Sequence, residues 1–312
     1  MDRHARIFVA GADSFLGGAI VRILQRQGYT ETFGGADEKL DLTDAEQVDV
    51  FMKRTRPDYV FCAAGKTGGI DANQRFAADL MLDNLLVQTN VMRSAYHHGV
   101  KKLLYLASSC SYPRECPQPM RVESLMTGPL EPTNEAYAVA KLAGIALCRA
   151  FREQYGACFI SAIPASAYGP EDDFRPETAH VIPALISRLN FAKLANEPSV
   201  QIWGTGRPRR EFIFVDDLAD ACAFVMREYG DNEPINLGSS SEISITELAE
   251  LVKEVVGYSG DLIFDASRPD GMARKRLDSQ RRLTMGWAPS TALRSGLKAT
   301  FEWFLASRAQ IR

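Results

Sequence analysis

A tyrosine and a lysine four residues apart, Tyr137-Ala-Val-Ala-Lys141, form the pair in this sequence best suited to moving a proton. On a helix that spacing puts both side chains on one face. An ammonium there lowers the pKa of the phenol electrostatically, so that the phenol can exchange a proton with a carbonyl oxygen near neutral pH. The apolar run at residues 102–107 precedes the pair and ends in Ser108 and Ser109, whose hydroxyls can hydrogen-bond the same carbonyl. Ser108, Tyr137 and Lys141, in this order beside a nucleotide fold, read as a ketone reductase.

The nucleotide fold is read from the amino terminus. A β-branched and aromatic run (ARIFVA) leads into a glycine-bearing turn, and Phe15, Ala19, Ile20, Ile23 and Leu24 follow at helical spacing. Gly11 and Gly17 are placed to let a pyrophosphate meet the N-terminus of that helix, at Ser14, Phe15 and Leu16. The usual GxxGxxG spacing would put its middle glycine at Ser14, so position after the first strand carries more weight than the motif. Asp41 and Leu42 fall after the second strand and suit an adenine contact, although Asp41-Leu-Thr-Asp44 is also a common helix N-cap pattern. Ala63, Ala64 and Gly65, ending the third strand, are small where a cofactor must approach the backbone closely.

The pattern recurs along the chain. Residues 30–33 form a weak strand, 48–52 lie on a helix, 59–64 form a buried strand, and a long helix ends near His98 and Gly99 before the strand at 102–107. Strands alternating with helices imply crossovers between parallel strands, hence an α/β, Rossmann-type doubly wound parallel sheet. After Gln154 the rhythm changes. A strand at 158–164 is followed by loop-rich sequence, a helix at 182–195, and a Gly/Pro/Arg segment at 204–210. Ser244 and Glu247 form a capping box for an amphipathic helix over 245–256. These segments are expected to build a smaller C-terminal α/β lobe.

Composition narrows the function. With 312 residues, 46% of them hydrophobic, the chain can bury a sizeable core. Against 39 acidic residues there are 36 basic ones, and a net charge of −3 provides no global field for nucleic acid or anionic lipid. No apolar run approaches the roughly 18 to 20 residues that span a bilayer. A cytoplasmic protein with no nucleic-acid or membrane partner is expected. The six cysteines lack CxxC or Cys/His ligand spacing, so no disulfide framework or metal site is indicated.

Several segments together carry a resemblance. They are Lys66-Thr-Gly-Gly-Ile70, Ser108-Ser-Cys-Ser-Tyr-Pro113, Leu130-Glu-Pro-Thr-Asn-Glu135, the stretch from Tyr137 to Ile145, His180-Val-Ile-Pro-Ala184, Trp203-Gly-Thr-Gly206, Arg210-Glu-Phe212 and Phe264-Asp-Ala-Ser267. On these the chain resembles the extended short-chain dehydrogenases/reductases and, among them, the GDP-L-fucose synthase family. The resemblance runs through nearly the whole chain and implies a GDP-linked 4-keto sugar as substrate, NADPH as reductant, a homodimer formed through the helices near 76–98 and 136–154, and two further catalytic residues, Cys110 and His180. Carbons 3 and 5 of such a sugar flank the carbonyl, so each C–H is acidified through an enolate, and inversion needs a base and an acid on opposite faces. A thiol and an imidazole suit that exchange close to neutral pH. The resemblance also places His180 at the cofactor with Tyr137 and Lys141. Ser109, Arg188, Trp203, Arg210 and Lys275 are expected at the substrate, the cations around its diphosphate or sugar. The dinucleotide-binding domain is expected over residues 1–165, with 211–240 returning to it, and the nucleotide-sugar-binding lobe over 166–210 and 241–312.

Two departures bear on that reading. Arginines that often contact an NADPH 2′-phosphate in the family are replaced by Asp13 and by Gly34-Gly-Ala-Asp37, with Lys39 nearby, which leaves NAD(H) as an alternative. Ala165 and Ser166 stand where the family commonly has threonine and asparagine. With the diverged loop at 113–126, this leaves open a 4-keto reductase or epimerase-reductase for another GDP-linked sugar, of the 6-deoxyheptose or colitose type. A dinucleotide-binding regulator without turnover is the non-enzymatic alternative.

Overall fold

Ile7, Phe8, Val9 and Ala10 are apolar in succession because the strand they form is buried on both faces. The computed structural model describes residues 1–34 and 40–309, with side chains described as far as Ser307. The first half runs β1 (Ile7–Ala10), α1 (Phe15–Arg26), β2 (Thr32–Phe33), α2 (Ala45–Thr55), β3 (Tyr59–Cys62), α3 (Ile70–Arg75), α4 (Ala77–His97) and β4 (Lys102–Leu106). It continues with α5 (Glu135–Tyr155), β5 (Phe159–Pro164), β6 (Ser166–Tyr168), α6 (Val181–Ala195), β7 (Ser199–Trp203), β8 (Arg209–Phe214), α7 (Val215–Glu228) and β9 (Ile235–Leu237). The last elements are β10 (Glu242–Ser244), α8 (Ile245–Val256), β11 (Asp261–Asp265), β12 (Arg274–Lys275), α9 (Gln280–Thr284) and α10 (Leu293–Ala309).

Among the described residues, six parallel strands make the central sheet in the order β2-β1-β3-β4-β5-β9. The chain leaves β1 toward β2 and then crosses to β3 on the other side of β1. That reversal opens a crevice at the carboxyl ends of β1 and β3, where a ligand fits in an open sheet. Helix α1 packs beside α7, while α2, α4 and α5 pack in a row.

A second hydrophobic cluster gathers Ile186 and Leu189 of α6, Val200 and Ile202 of β7, Leu248 and Val252 of α8, and Leu297 and Phe304 of α10. Around it lie the parallel pair β7–β11 and a small sheet in which β8 pairs β6, β10 and β12. Residues of α7 and β9 pack into the larger cluster, as do Met272, Leu277 and Trp287 from the C-terminal part of the chain. Helix α8 begins with the expected reciprocal cap: the Glu247 N–H donates to Ser244 Oγ, and the Ser244 N–H donates to Glu247 Oε2. No helix among the described residues is long and apolar enough to cross a membrane.

Candidate active site

The turn after β1 shows why serine stands at position 14. Its Oγ donates to the Gly11 carbonyl at 2.6 Å and accepts the Gly17 N–H at 3.2 Å, so the side chain closes the turn and caps α1. The N–H groups of Phe15 and Leu16, in the first turn, have no intrahelical acceptor by helix geometry. Gly11 has φ +86°, and a β-carbon there would come within 2.7 Å of Ala64 Cα; one on Gly17 would stand 1.8 Å from the Gly11 carbonyl oxygen. The backbones of the first and third strand ends therefore approach as a dinucleotide cradle requires. Gly65 bends away at φ +133°, beside Asn84 and Lys141. Asn84 is buried, and its Oδ1 has no hydrogen-bond partner among the described residues. An unpaired acceptor beside a glycine-lined gap fits a nicotinamide dinucleotide.

Asp41 turns onto its own loop, its Oδ1 accepting from the N–H and hydroxyl of Thr43. Asp44 supplies the cap of α2. The backbone carbonyls of Leu42 and Thr43 are held by Asn90 of α4. Asp13 is exposed at the first departure from the family pattern, while residues 35–39, including Asp37 and Lys39 of the second, lie outside the described residues.

Beyond β4 the chain makes a single 3₁₀ turn, Ser109–Ser111, started by the Cys110 N–H donating to Ser108 Oγ at 3.2 Å. This brings the Ser108 hydroxyl and the Cys110 sulfur to one side. Tyr137 lies in the first turn of α5 and Lys141 one turn on, its ammonium 5.8 Å from the Tyr137 ring centroid. Lys141 Nζ donates to the Leu106 carbonyl at 3.1 Å, which ties α5 to the end of β4.

Here an electrostatic expectation is corrected. The phenol of Tyr137 is not lowered: burial, with the negative charge of Cys110 adding to it, pushes it up to about 12 against opposing hydrogen bonds from Ser108 and Thr67. Burial also brings Lys141 down to about 8. The pair therefore keeps Tyr137 as a protonated acid at neutral pH, which suits donation to a developing alkoxide.

Cys110 behaves in the opposite way. Burial raises its thiol, yet the Lys275 ammonium, the Ser108 hydrogen bond and the Arg210 charge together carry it below the ordinary thiol value. Its sulfur accepts from Lys275 Nζ and from Asn134 Nδ2, each at 3.2 Å. His180 is the residue before α6. The residue is exposed, yet desolvation of the ring, and then the Lys275 charge, hold its imidazole below the usual value. Hydrogen bonding between the Gly69 N–H and the Thr178 carbonyl fastens the His180 loop to the segment that carries Thr67.

The remaining expected residues divide. Ser109 is buried and lines a small concavity with Ala165, Ser166, Glu211 and Lys275. Arg188 lies with its guanidinium 5.9 Å from the Trp203 ring centroid, and Arg268 stands closer, at 4.8 Å. Half-buried Arg210 donates to the Asp270 carbonyl, and the Asp270 carboxylate holds the N–H and hydroxyl of Thr205. Asp270 thus links the Trp203 turn to Arg210. Lys275, expected around the diphosphate or sugar, has its ammonium on the Cys110 sulfur.

Sequence reasoning missed Asn134, Thr67, Asn84 and Asp270. The first two lie inside the segments quoted for the resemblance, but nothing local marks them as neighbours of a sulfur or a phenol.

Comparison with known proteins agrees with this architecture. Residues 7–238 match the profile of the NAD dependent epimerase/dehydratase family. GDP-L-fucose synthase 1 of Arabidopsis thaliana is 51% identical over 304 residues, covering 97% of this chain and 94% of that protein. The crystal structure of a GDP-6-OMe-4-keto-L-xylo-heptose reductase from Campylobacter jejuni superposes with a TM-score of 0.93 at 32% identity, covering 98% of this chain and 99% of that one. A GDP-L-fucose synthetase from Naegleria fowleri, solved bound to NADP, gives a TM-score of 0.91 at 29% identity, over 99% of this chain and 95% of that one.

Proposed function

The chain belongs to the NAD dependent epimerase/dehydratase family, and from that premise we propose that it converts GDP-4-keto-6-deoxy-D-mannose to GDP-L-fucose by epimerisation at carbons 3 and 5 and reduction at carbon 4. The gathering of a lowered thiol, Tyr137 and the buried Lys141 behind one strand end supports this reading, together with the 51% identity to a GDP-L-fucose synthase. It is an enzyme of the epimerase/reductase kind, and the regulatory alternative falls away.

Cys110 and His180 take and return the protons at carbons 3 and 5, one as base while the other acts as acid. Each abstraction leaves its electron pair delocalised onto the oxygen at carbon 4. Ser108 orients that oxygen by hydrogen bonding. Tyr137 then donates its proton to the alkoxide, and Lys141 supports the phenol and holds the cofactor ribose. A nicotinamide dinucleotide, NADPH on this proposal, supplies the hydride for carbon 4 when bound. Gly11, Ser14, Phe15, Leu16 and Gly17 would hold its pyrophosphate, Asp41 and Leu42 its adenine end, and Ala63, Ala64 and Gly65 its approach to Lys141, with His180 at its nicotinamide side. Arg188 and Arg210 would lie around the diphosphate or sugar of the substrate, Trp203 near its nucleotide, and Ser109 would contact the substrate.

A second reading, reduction of another GDP-linked 4-keto sugar, is favoured by one observation: Ser166, at a position where the sequence departs from the family, lines the concavity beside Ser109. Incubation in deuterated water, followed by NMR, separates the two. Deuterium at carbons 3 and 5 without reductant, followed by GDP-fucose on addition of NADPH, supports the epimerase-reductase; reduction without deuterium replaces it with a simple 4-reductase. Parallel runs with NADH decide the cofactor. A higher kcat/KM with NADH would overturn the NADPH assignment.

The proposal includes a two-fold homodimer through α4 and α5. These adjacent helices present Leu82, Leu86 and Val139 to solvent, 56%, 37% and 37% exposed. Light scattering that showed only monomer at micromolar concentration would remove it.

A further inference from the structure

The paired strands β8 and β12 carry two pairs of cations. Arg274 stands in register with Arg209, and Lys275 with Arg210. Successive residues of a strand point to opposite faces, so each face of this strand pair holds two like charges side by side, an arrangement that repels unless an anion lies near them. On one face the anion is Glu242, whose carboxylate receives Arg209 Nε at 3.1 Å and Arg274 Nε at 2.8 Å. On the other face Lys275 has no paired carboxylate among the described residues, and its hydrogen-bond acceptor is the Cys110 sulfur at 3.2 Å. Asn134 reaches that sulfur from the 3₁₀ turn before α5, also at 3.2 Å.

We propose that Lys275 is the positioning residue that holds Cys110 as a thiolate: the sulfur takes the Lys275 ammonium, while Arg210, bonded to the Arg209 and Asp270 carbonyls, adds a second positive charge nearby. The charged groups that face the sulfur are Lys275 from β12 and Arg210 from β8; Tyr137 of α5 and Ser108 of its own turn add a phenol and a hydroxyl. In the proton transfer a C–H bond breaks and an S–H bond forms. Negative charge then leaves sulfur for the oxygen at carbon 4, and Lys275 holds that charge on sulfur beforehand.

The inference rests on Cys110 being an acid–base residue, and the two ideas fail separately. Loss or retention of deuterium exchange in Cys110→Ser tests the role of the cysteine. Lys275 is tested by the pH profile of Cys110 alkylation with iodoacetamide, followed peptide by peptide in the full chain without substrate. Lys275→Met should move the midpoint upward by about one pH unit or more and slow alkylation at neutral pH by about 10-fold. Lys275→Arg should restore most of the loss, and Lys275→Gln, which keeps a polar end, should behave as the methionine variant does. An unchanged midpoint in the Met and Gln variants overturns the proposal. If GDP affinity measured by calorimetry fell in those same variants, Lys275 would be a diphosphate ligand instead.

Discussion

Gly144 of α5 lies so close against Tyr105 of β4 that a β-carbon on it would stand 2.3 Å from the Cζ of that ring. The contact lets the helix sit low on the sheet. Tyr105 in turn donates to Gln88 Oε1 at 2.6 Å, and the Gln88 amide donates to the Ala140 carbonyl at 2.9 Å, so the ring and α4 together set the height of the helix that carries Tyr137 and Lys141. Gly144→Ala should lift α5, destabilise the protein by about 1–3 kcal/mol through overpacking, and lower reduction more than that loss alone explains. Urea unfolding beside steady-state turnover at a temperature where the variant stays folded checks both effects.

Tyr137→Phe should reduce ketone reduction by at least about 100-fold, the usual worth of a positioned acid, while solvent exchange at carbons 3 and 5 continues. Cys110→Ser should suppress that exchange. If each variant lost both activities with substrate binding intact, the division of labour between phenol and thiol would be wrong.

Lys141 is buried, and its ammonium is brought down to about 8 from the ordinary 10.5. Between those values the unfolded chain binds more protons than the native one, so wild-type stability rises with pH across this window. Lys141→Met has no such group. The wild type should therefore gain on the variant as pH climbs from about 8 toward 10.5, by up to ~3 kcal/mol, and the two should run parallel below it. Denaturant titrations at a series of pH values measure the difference.

Asp172, between β6 and α6, has a buried Oδ2 without a hydrogen-bond partner among the described residues, and burial pushes its carboxyl up to about 7 from 3.8. In that interval the native state binds the additional proton, so wild-type stability falls as pH rises from about 4 to 7. The replacement Asp172→Asn keeps an acceptor for the Asp173 N–H, now at 2.8 Å from Oδ1, and removes the charge. It should be more stable than wild type at pH 8 by as much as ~4 kcal/mol, an advantage that disappears near pH 4. Thermal unfolding of both proteins at the two pH values would show it, and equal differences at both would contradict it.

What the sequence by itself determined was local or periodic. Alternating strands and helices implied a parallel doubly wound sheet, Ser244 and Glu247 marked the start of α8, and the spacing of Tyr137 and Lys141 put both on one face, because each depends on residues within a few positions of one another. Motif resemblance added Cys110 and His180. Tertiary structure decided the rest. The contact between Cys110 and Lys275 joins residues 165 apart in the chain, and no local pattern encodes it. The direction in which Tyr137 titrates follows from how much water the fold removes around its hydroxyl, against which a lysine one helical turn away counts for less. Ser14 was legible as a missing glycine and becomes a cap only when Gly11 and Gly17 fold around it. Charge, burial and distance in the site are properties of the packed chain, and packing brings together segments that the sequence keeps far apart.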